Sequence, residues 1–154
     1  MLDASLLEIS IESPTSDTSR ALIDASDDAL GEHYSKEECF SVSADDLKAP
    51  NVEFFVARRG DQPIGCVALI DHVGYGEVKR LYVTENARGV GVGAALMDAV
   101  EHAARDIGLR SIRLETGARL GPAVAIYKAR GYRKRGAFGG YTDMAPSLFM
   151  EKSL

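Results

Sequence analysis

A run of alternating glycines, Arg88-Gly89-Val90-Gly91-Val92-Gly93, stands between the apolar stretch Leu81-Tyr82-Val83 and a helical stretch that begins at Ala94. Few combinations constrain a chain more than strand, glycine turn and helix. A backbone without side chains just before a helix leaves the first helical amides open, and those amides together with the helix dipole hold an anion. A phosphate cradle is therefore expected here. A nucleoside-triphosphate loop would need Lys and then Ser or Thr after its last glycine, whereas Gly93 is followed by Ala94 and Ala95. A dinucleotide loop is closer, because Gly89-x-Gly91-x-x-Ala94 opens a helix and Glu115 stands near the end of the next strand. The residues Thr84 to Arg88 that separate strand from glycine disfavour it.

The rest of the chain reads as alternating strands and helices. Leu6 to Ile11 alternates like a strand, and Pro14-Thr15-Ser16-Asp17 offers turn and N-cap chemistry for a helix running to about Leu30. The stretch 33–50 is polar, with a short helix near Ala44 to Lys48. Val52 to Arg58 and Ile64 to Asp71, joined by Arg59-Gly60-Asp61-Gln62-Pro63, predict a hairpin. Glu77 to Val83 follows as a third run. Ala95, Leu96, Ala99, Val100, Ala103, Ala104 and Ile107 then mark one helical face, which Gly108 ends. Ser111 to Thr116 alternates as a strand, Ala123 to Ala129 forms a short helix after Gly121-Pro122, and Tyr132 to Phe138 and Ser147 to Lys152 supply two last strands. The order predicts a mixed α/β domain spanning residues 1–154, a sheet with helices on its faces.

Composition narrows the partners. A net charge of −5 argues against nucleic acid, although Lys128, Arg130, Arg133, Lys134 and Arg135 make a local basic patch, most simply a solvated helix end and loop. No apolar run reaches membrane-spanning length and the first residues, with Asp3 and Glu8, do not resemble a secretory signal, so a cytoplasmic protein without a membrane partner is expected. Cys39 and Cys66 stand apart, with no Cys or His at metal-ligand spacing, and are expected as reduced thiols. His33, His72 and His102 are scattered, so no metal site is expected.

Three motifs in order carry a resemblance. Arg88-x-x-Gly91-x-Gly93 resembles the pyrophosphate-binding loop of the Gcn5-related N-acetyltransferase (GNAT) family, Glu77-Val78-Lys79-Arg80-Leu81-Tyr82-Val83 resembles its fourth strand, and Ala123-x-x-Ile126-Tyr127-x-x-x-Gly131-Tyr132 resembles its penultimate-helix signature. The resemblance covers about Val52 to Leu154. It implies a mostly antiparallel sheet of six to seven strands, splayed between strands 4 and 5 and flanked by about four helices. It also implies acetyl-CoA as co-substrate, no metal, and direct acetyl transfer to a small-molecule amine such as an amino acid or related metabolite. The Phe138-Gly139-Gly140-Tyr141 segment resembles a bacterial small-molecule subgroup. A protein-lysine acceptor and a non-catalytic CoA sensor are the alternatives. Homodimers are common in the family.

The resemblance also assigns residues. The amides of Gly89, Val90, Gly91, Val92, Gly93 and Ala94 would hold the pyrophosphate, with Arg88 adding a cation. The Leu81 amide would polarise the thioester carbonyl, and Tyr82 and Val83 would lie along the pantetheine. Glu77 stands where some members place a general base, and the strand period of two predicts it on the same side as Leu81. A surface carboxylate paired with Lys79 or Arg80 is the plainer reading. Tyr127 matches the tyrosine that protonates the departing thiolate, and Leu120 stands where many members have an Asn. For the acceptor, the family would use His33, Tyr34 and Lys36 with Phe138, Gly139 and Tyr141, while Lys79, Arg80 or Arg113 could hold a carboxylate.

Overall fold

The computed structural model describes residues 6–35, 42–143 and 146–154, so Lys36 and Cys39 lie outside the described residues, as do Asp3 and the acidic Glu37 and Glu38. The expected elements form, with edges moved by a few residues. Strand β1 is Leu7–Ile11, and helix α1 is Asp17–Gly31, capped by Ser16, whose side chain accepts the Ser19 N–H. A short 3-10 turn, Asp46–Lys48, replaces the predicted second helix. β2 (Val52–Arg59) and β3 (Gln62–Asp71) make the hairpin, and β4 is Gly76–Val83. Helix α2 is Val92–Asp106, starting two residues before Ala94, and β5 is Ser111–Gly117. Helix α3 is Gly121–Ala129, with Pro122 in its first turn where a missing N–H costs nothing. β6 is confined to Arg133–Arg135, and β7 is Ser147–Ser153. Among the described residues there are three α-helices rather than about four.

The strands form one seven-stranded sheet in the order β1-β2-β3-β4-β5-β7-β6. All neighbours are antiparallel except β4 and β5, which pair in parallel through Gly76–Ile112, Glu77–Arg113 and Val78–Leu114. Beyond Val78 these two strands part. β4 stays with β3, β5 stays with β7, and a fork opens between them.

A second irregularity adjoins the fork. β3 pairs Cys66 with Tyr82 but Ala68 with Lys79, so Arg80 and Leu81 stand together opposite Val67, and Arg80 takes a left-handed φ of 59°. This bulge inverts the side-chain alternation of β4. Val78 packs in the core under α2, and so do Leu81 and Val83, whereas Tyr82 packs with the cluster under α1. Leu81 and Glu77 therefore lie on opposite faces, against the expectation that a period of two keeps them together. That period holds only for an unbroken ladder.

The two faces differ. Leu96, Met97, Val100 and Ala104 of α2 pack on Val67, Leu69, Ile112, Leu114 and Met150 in the larger core. Leu22 and Ile23 of α1 cover Phe54, Val56, Cys66 and Ala68.

Candidate active site

The fork opens into a cleft of about 750 Å³ that reaches from the glycine loop to the last paired rung of β4 and β5. At one end the loop builds an anion site from its own geometry. Gly89 and Gly91 have φ of 81° and 92°, and a Cβ on either would meet open space. They are glycine because of backbone conformation. Gly93 is glycine because of packing, since a Cβ there would lie 2.7 Å from Ile126 Cδ1 of α3. Gly91 is the N-cap of α2 and supplies no side chain to its first amides, which are left for a ligand. Arg88 Nε donates to the Val83 carbonyl at 3.0 Å, fixing the guanidinium beside the cleft.

Along the fork, the Thr84 N–H donates to the Ile64 carbonyl of β3. Strand alternation then turns the Tyr82 amide to β3 as well, and the Leu81 and Val83 amides into the fork. Opposite stand Tyr127 and Ile126 of α3, with Leu120 at its N-cap. Tyr127 is buried against the Tyr132 ring, and burial followed by the charge of Glu115 pushes its phenol well above the usual range. It stays protonated.

Tyr34 and Arg119 close the wall between α1 and β5. The Tyr34 hydroxyl accepts the Arg119 backbone N–H at 2.7 Å, and Arg119 Nη1 donates to the His33 carbonyl at 2.8 Å. Gly117 makes room for that tyrosine, as a Cβ there would fall 2.0 Å from its oxygen.

The charged residues divide at the fork. Glu77 is level with the last closed rungs, opposite Arg113, and does not line the cleft. It is buried, not a surface carboxylate, and its oxygens meet His72 Nε2 at 2.8 Å, the Tyr141 hydroxyl, and Lys79 Nζ at 3.8 Å. Tyr141 belongs to an aromatic block with Phe138, Phe149 and Tyr75, capped by Arg113 over the Tyr75 ring at 4.0 Å. Phe138 and Tyr141 back the site rather than line it, and Val90 of the loop points outward. Arg80 lines the cleft, but its guanidinium is taken up by the Val42 carbonyl, Ser26 and Asp27, and Arg113 is held by Glu151 at 3.3 Å. Lys79 and Glu115, one residue past the final rung on their strands, do line the cleft. Burial lowers the Lys79 ammonium, opposed by Glu77 and Glu115, and burial raises the Glu115 carboxyl, opposed by Lys79.

Of the residues the sequence singles out, the loop glycines, Leu81 to Val83 and Tyr127 line one cleft; Glu115 and Arg119 line it as well, without having been singled out for it. Nothing in the sequence marks Glu115, because its access to the cleft depends on the rung at which β4 leaves β5. Cys66 is a free thiol buried under α1, and burial pushes it up to about 12, so it is unsuited to nucleophilic work. Among the described residues no group of acidic, His or Cys side chains could hold a metal, and no helix is long and apolar enough to cross a membrane.

Residues 19–132 match the model of the acetyltransferase (GNAT) family. The chain belongs to that family. It is 40% identical over 148 residues to the IAA acetyltransferase of Azospirillum brasilense, covering 95% of this chain and 97% of the relative. A Klebsiella pneumoniae structure assigned as an acyl-CoA N-acyltransferase superposes with a TM-score of 0.82 at 33% identity, covering 97% of this chain and 99% of that one. The PaiA N-acetyltransferase of Thermoplasma acidophilum, solved with coenzyme A, shares the fold with a TM-score of 0.76 at 19% identity, covering 96% and 99%. This GNAT chain is an N-acetyltransferase.

Proposed function

We propose that the enzyme takes its acetyl group from acetyl-CoA and transfers it directly to a primary amine of a small molecule, an amino acid or a related metabolite. The observation that carries this reading is the single cleft joining the glycine loop, the Leu81 amide and Tyr127. Open amides at Gly89 and Gly91 suit a pyrophosphate, and the fork suits an extended arm hydrogen-bonded along Leu81 to Val83. When bound, the thioester supplies an activated acyl carbon. The Leu81 amide polarises its carbonyl, Tyr127 delivers a proton to the leaving sulfur, and a carboxylate removes the proton of the acceptor ammonium, Glu77 being the one the resemblance implies. The chain then works as one catalytic domain without a metal.

A small acceptor is supported by two further features. The IAA acetyltransferase is a close relative by name and coverage. Two of the five cations of the basic patch are engaged within the molecule, Arg130 with Asp98 and Glu101 and Arg135 with Glu151, which withdraws those two from a protein acceptor.

The test is calorimetric titration with acetyl-CoA followed by thiol release across an amine panel. Micromolar binding and turnover of free amines are expected. Binding without turnover would point to a sensor, and turnover of peptides alone to a protein acceptor.

A further inference from the structure

We infer that Glu115, rather than Glu77, takes the proton from the acceptor ammonium, and that Glu77 is a positioning residue acting through Tyr141 and Lys79. The inference rests on the small-amine reading above and specifies which side chain serves it.

Position decides between the two acids. The last rung joining β4 to β5 is Val78–Leu114. Glu77 lies before it, where the sheet is still closed, and its carboxylate is held by His72, Tyr141 and Lys79. Glu115 lies just after it, on the wall of the open cleft that also holds Tyr127 and the fork-facing Leu81 amide. An acyl carbon polarised by Leu81 and an amine attacking it meet at this vertex, so a base must reach the vertex to act.

The surroundings suit proton transfer. Glu115 is faced by Lys79 and, farther off, Glu77 from β4, by Tyr127 from α3, and by Tyr141 from the segment after β6. Burial shifts Glu115 upward, toward the pH at which a carboxylate both accepts and releases a proton. The Lys79 cation partly offsets that shift and disfavours a second ammonium beside it, which favours the neutral, nucleophilic amine.

The step balances. The ammonium gives one proton to Glu115, the amine nitrogen bonds to the acetyl carbon, and the carbon–sulfur bond breaks. The nitrogen loses its second proton to solvent as Tyr127 protonates the thiolate and is itself reprotonated. Glu115 then returns its proton to the solvent in the cleft.

Profiles of kcat/KM against pH for the native enzyme, Glu115→Gln and Glu77→Gln, measured with amines of pKa about 6 to about 10, test this. With an amine near 10, the native profile and that of Glu77→Gln should level off well below the amine pKa. That of Glu115→Gln should follow the free-amine fraction, about tenfold per pH unit, and fall at least about 100-fold below native at neutral pH. With an amine near 6 the Glu115→Gln deficit should shrink to a few-fold, because no proton needs removal beforehand. A Glu115→Gln profile that keeps its plateau, or a deficit equal across the amines, would overturn the inference while leaving the small-amine reading intact. A native enzyme that binds acetyl-CoA but turns over no amine in the series would overturn both.

Discussion

Two buried acid clusters in this molecule use nearly the same residue types to opposite ends. Glu101 of α2 is 2% exposed and accepts from Arg130 Nε at 3.1 Å, Lys152 Nζ at 2.7 Å and the Tyr132 hydroxyl at 3.2 Å. Burial pulls its carboxyl up, but the Arg130 and Lys152 hydrogen bonds outweigh it and hold the carboxyl below the usual range. One acid with two cations is a settled anion that ties α2, the end of α3 and β7 together. The cluster at the fork instead sets two acids, Glu77 and Glu115, around Lys79, and one of the acids faces an open cleft. Its acid is raised and its lysine lowered by burial. A shortage of cation and access to the cleft turn the same chemistry from cement into a titrating group.

The largest expected effect is on stability. Glu101→Ala leaves Arg130 and Lys152 without their buried partner and should destabilise the fold by about 3 to 5 kcal/mol, about 10 °C in Tm. Turnover per folded molecule should stay near native, checked by calorimetry and active-site titration; a selective loss of turnover would merge the two clusters. Next in size, Tyr127→Phe should slow turnover about 100-fold, about 2.7 kcal/mol in the barrier, with acetyl-CoA affinity unchanged in titration.

Gly91→Ala forces a side chain into φ of 92° at the N-cap of α2 and should weaken acetyl-CoA binding about tenfold, from a strain of about 1 to 2 kcal/mol. Gly93→Ala tests the other meaning of a glycine, since its Cβ meets Ile126 and should lower Tm more than affinity.

The smallest effect separates the clusters by pH. A lowered carboxyl such as Glu101 contributes stability above its unfolded pKa, and this is lost as pH falls through the folded one. Glu115 is raised, so the folded state binds its proton more tightly and stability falls as pH rises between the unfolded and folded values. Glu115→Gln should therefore raise Tm by about 2 °C at pH 7, a gain that disappears once the acid is protonated in both states. Thermal melts from about pH 4 to 8 would show it, and a lowered Tm at pH 7 would place Glu115 among the structural acids.

The local features were legible. Ser16 caps α1, Pro122 opens α3, and the apolar stripe of α2 lands in the core from Leu96 to Ala104, with Ile107 left exposed, because each depends on residues within a turn or two of chain. The loop glycines and Tyr127 were legible for the same reason. The bulge at Arg80 was not. A left-handed arginine carries no composition signal, yet it turns Leu81 to the α2 face and spends Arg80 on Val42, Ser26 and Asp27. The Glu101 cluster was equally hidden, as its partners come from α2, the end of α3 and β7. The expected strand from Tyr132 to Phe138 shrank to Arg133–Arg135 because Phe138 leaves the sheet for the aromatic block.

Local sequence dictates where the chain turns from strand to helix around bare amides, and which tyrosine stands on the short helix beyond. Those are matters of backbone freedom and near-neighbour spacing. Which acid lines the cleft depends on the three-dimensional pairing of the strands. Glu77 and Glu115 are each an acid on a strand, and what separates them is the rung at which β4 leaves β5, a property of paired strands 36 residues apart at Val78 and Leu114.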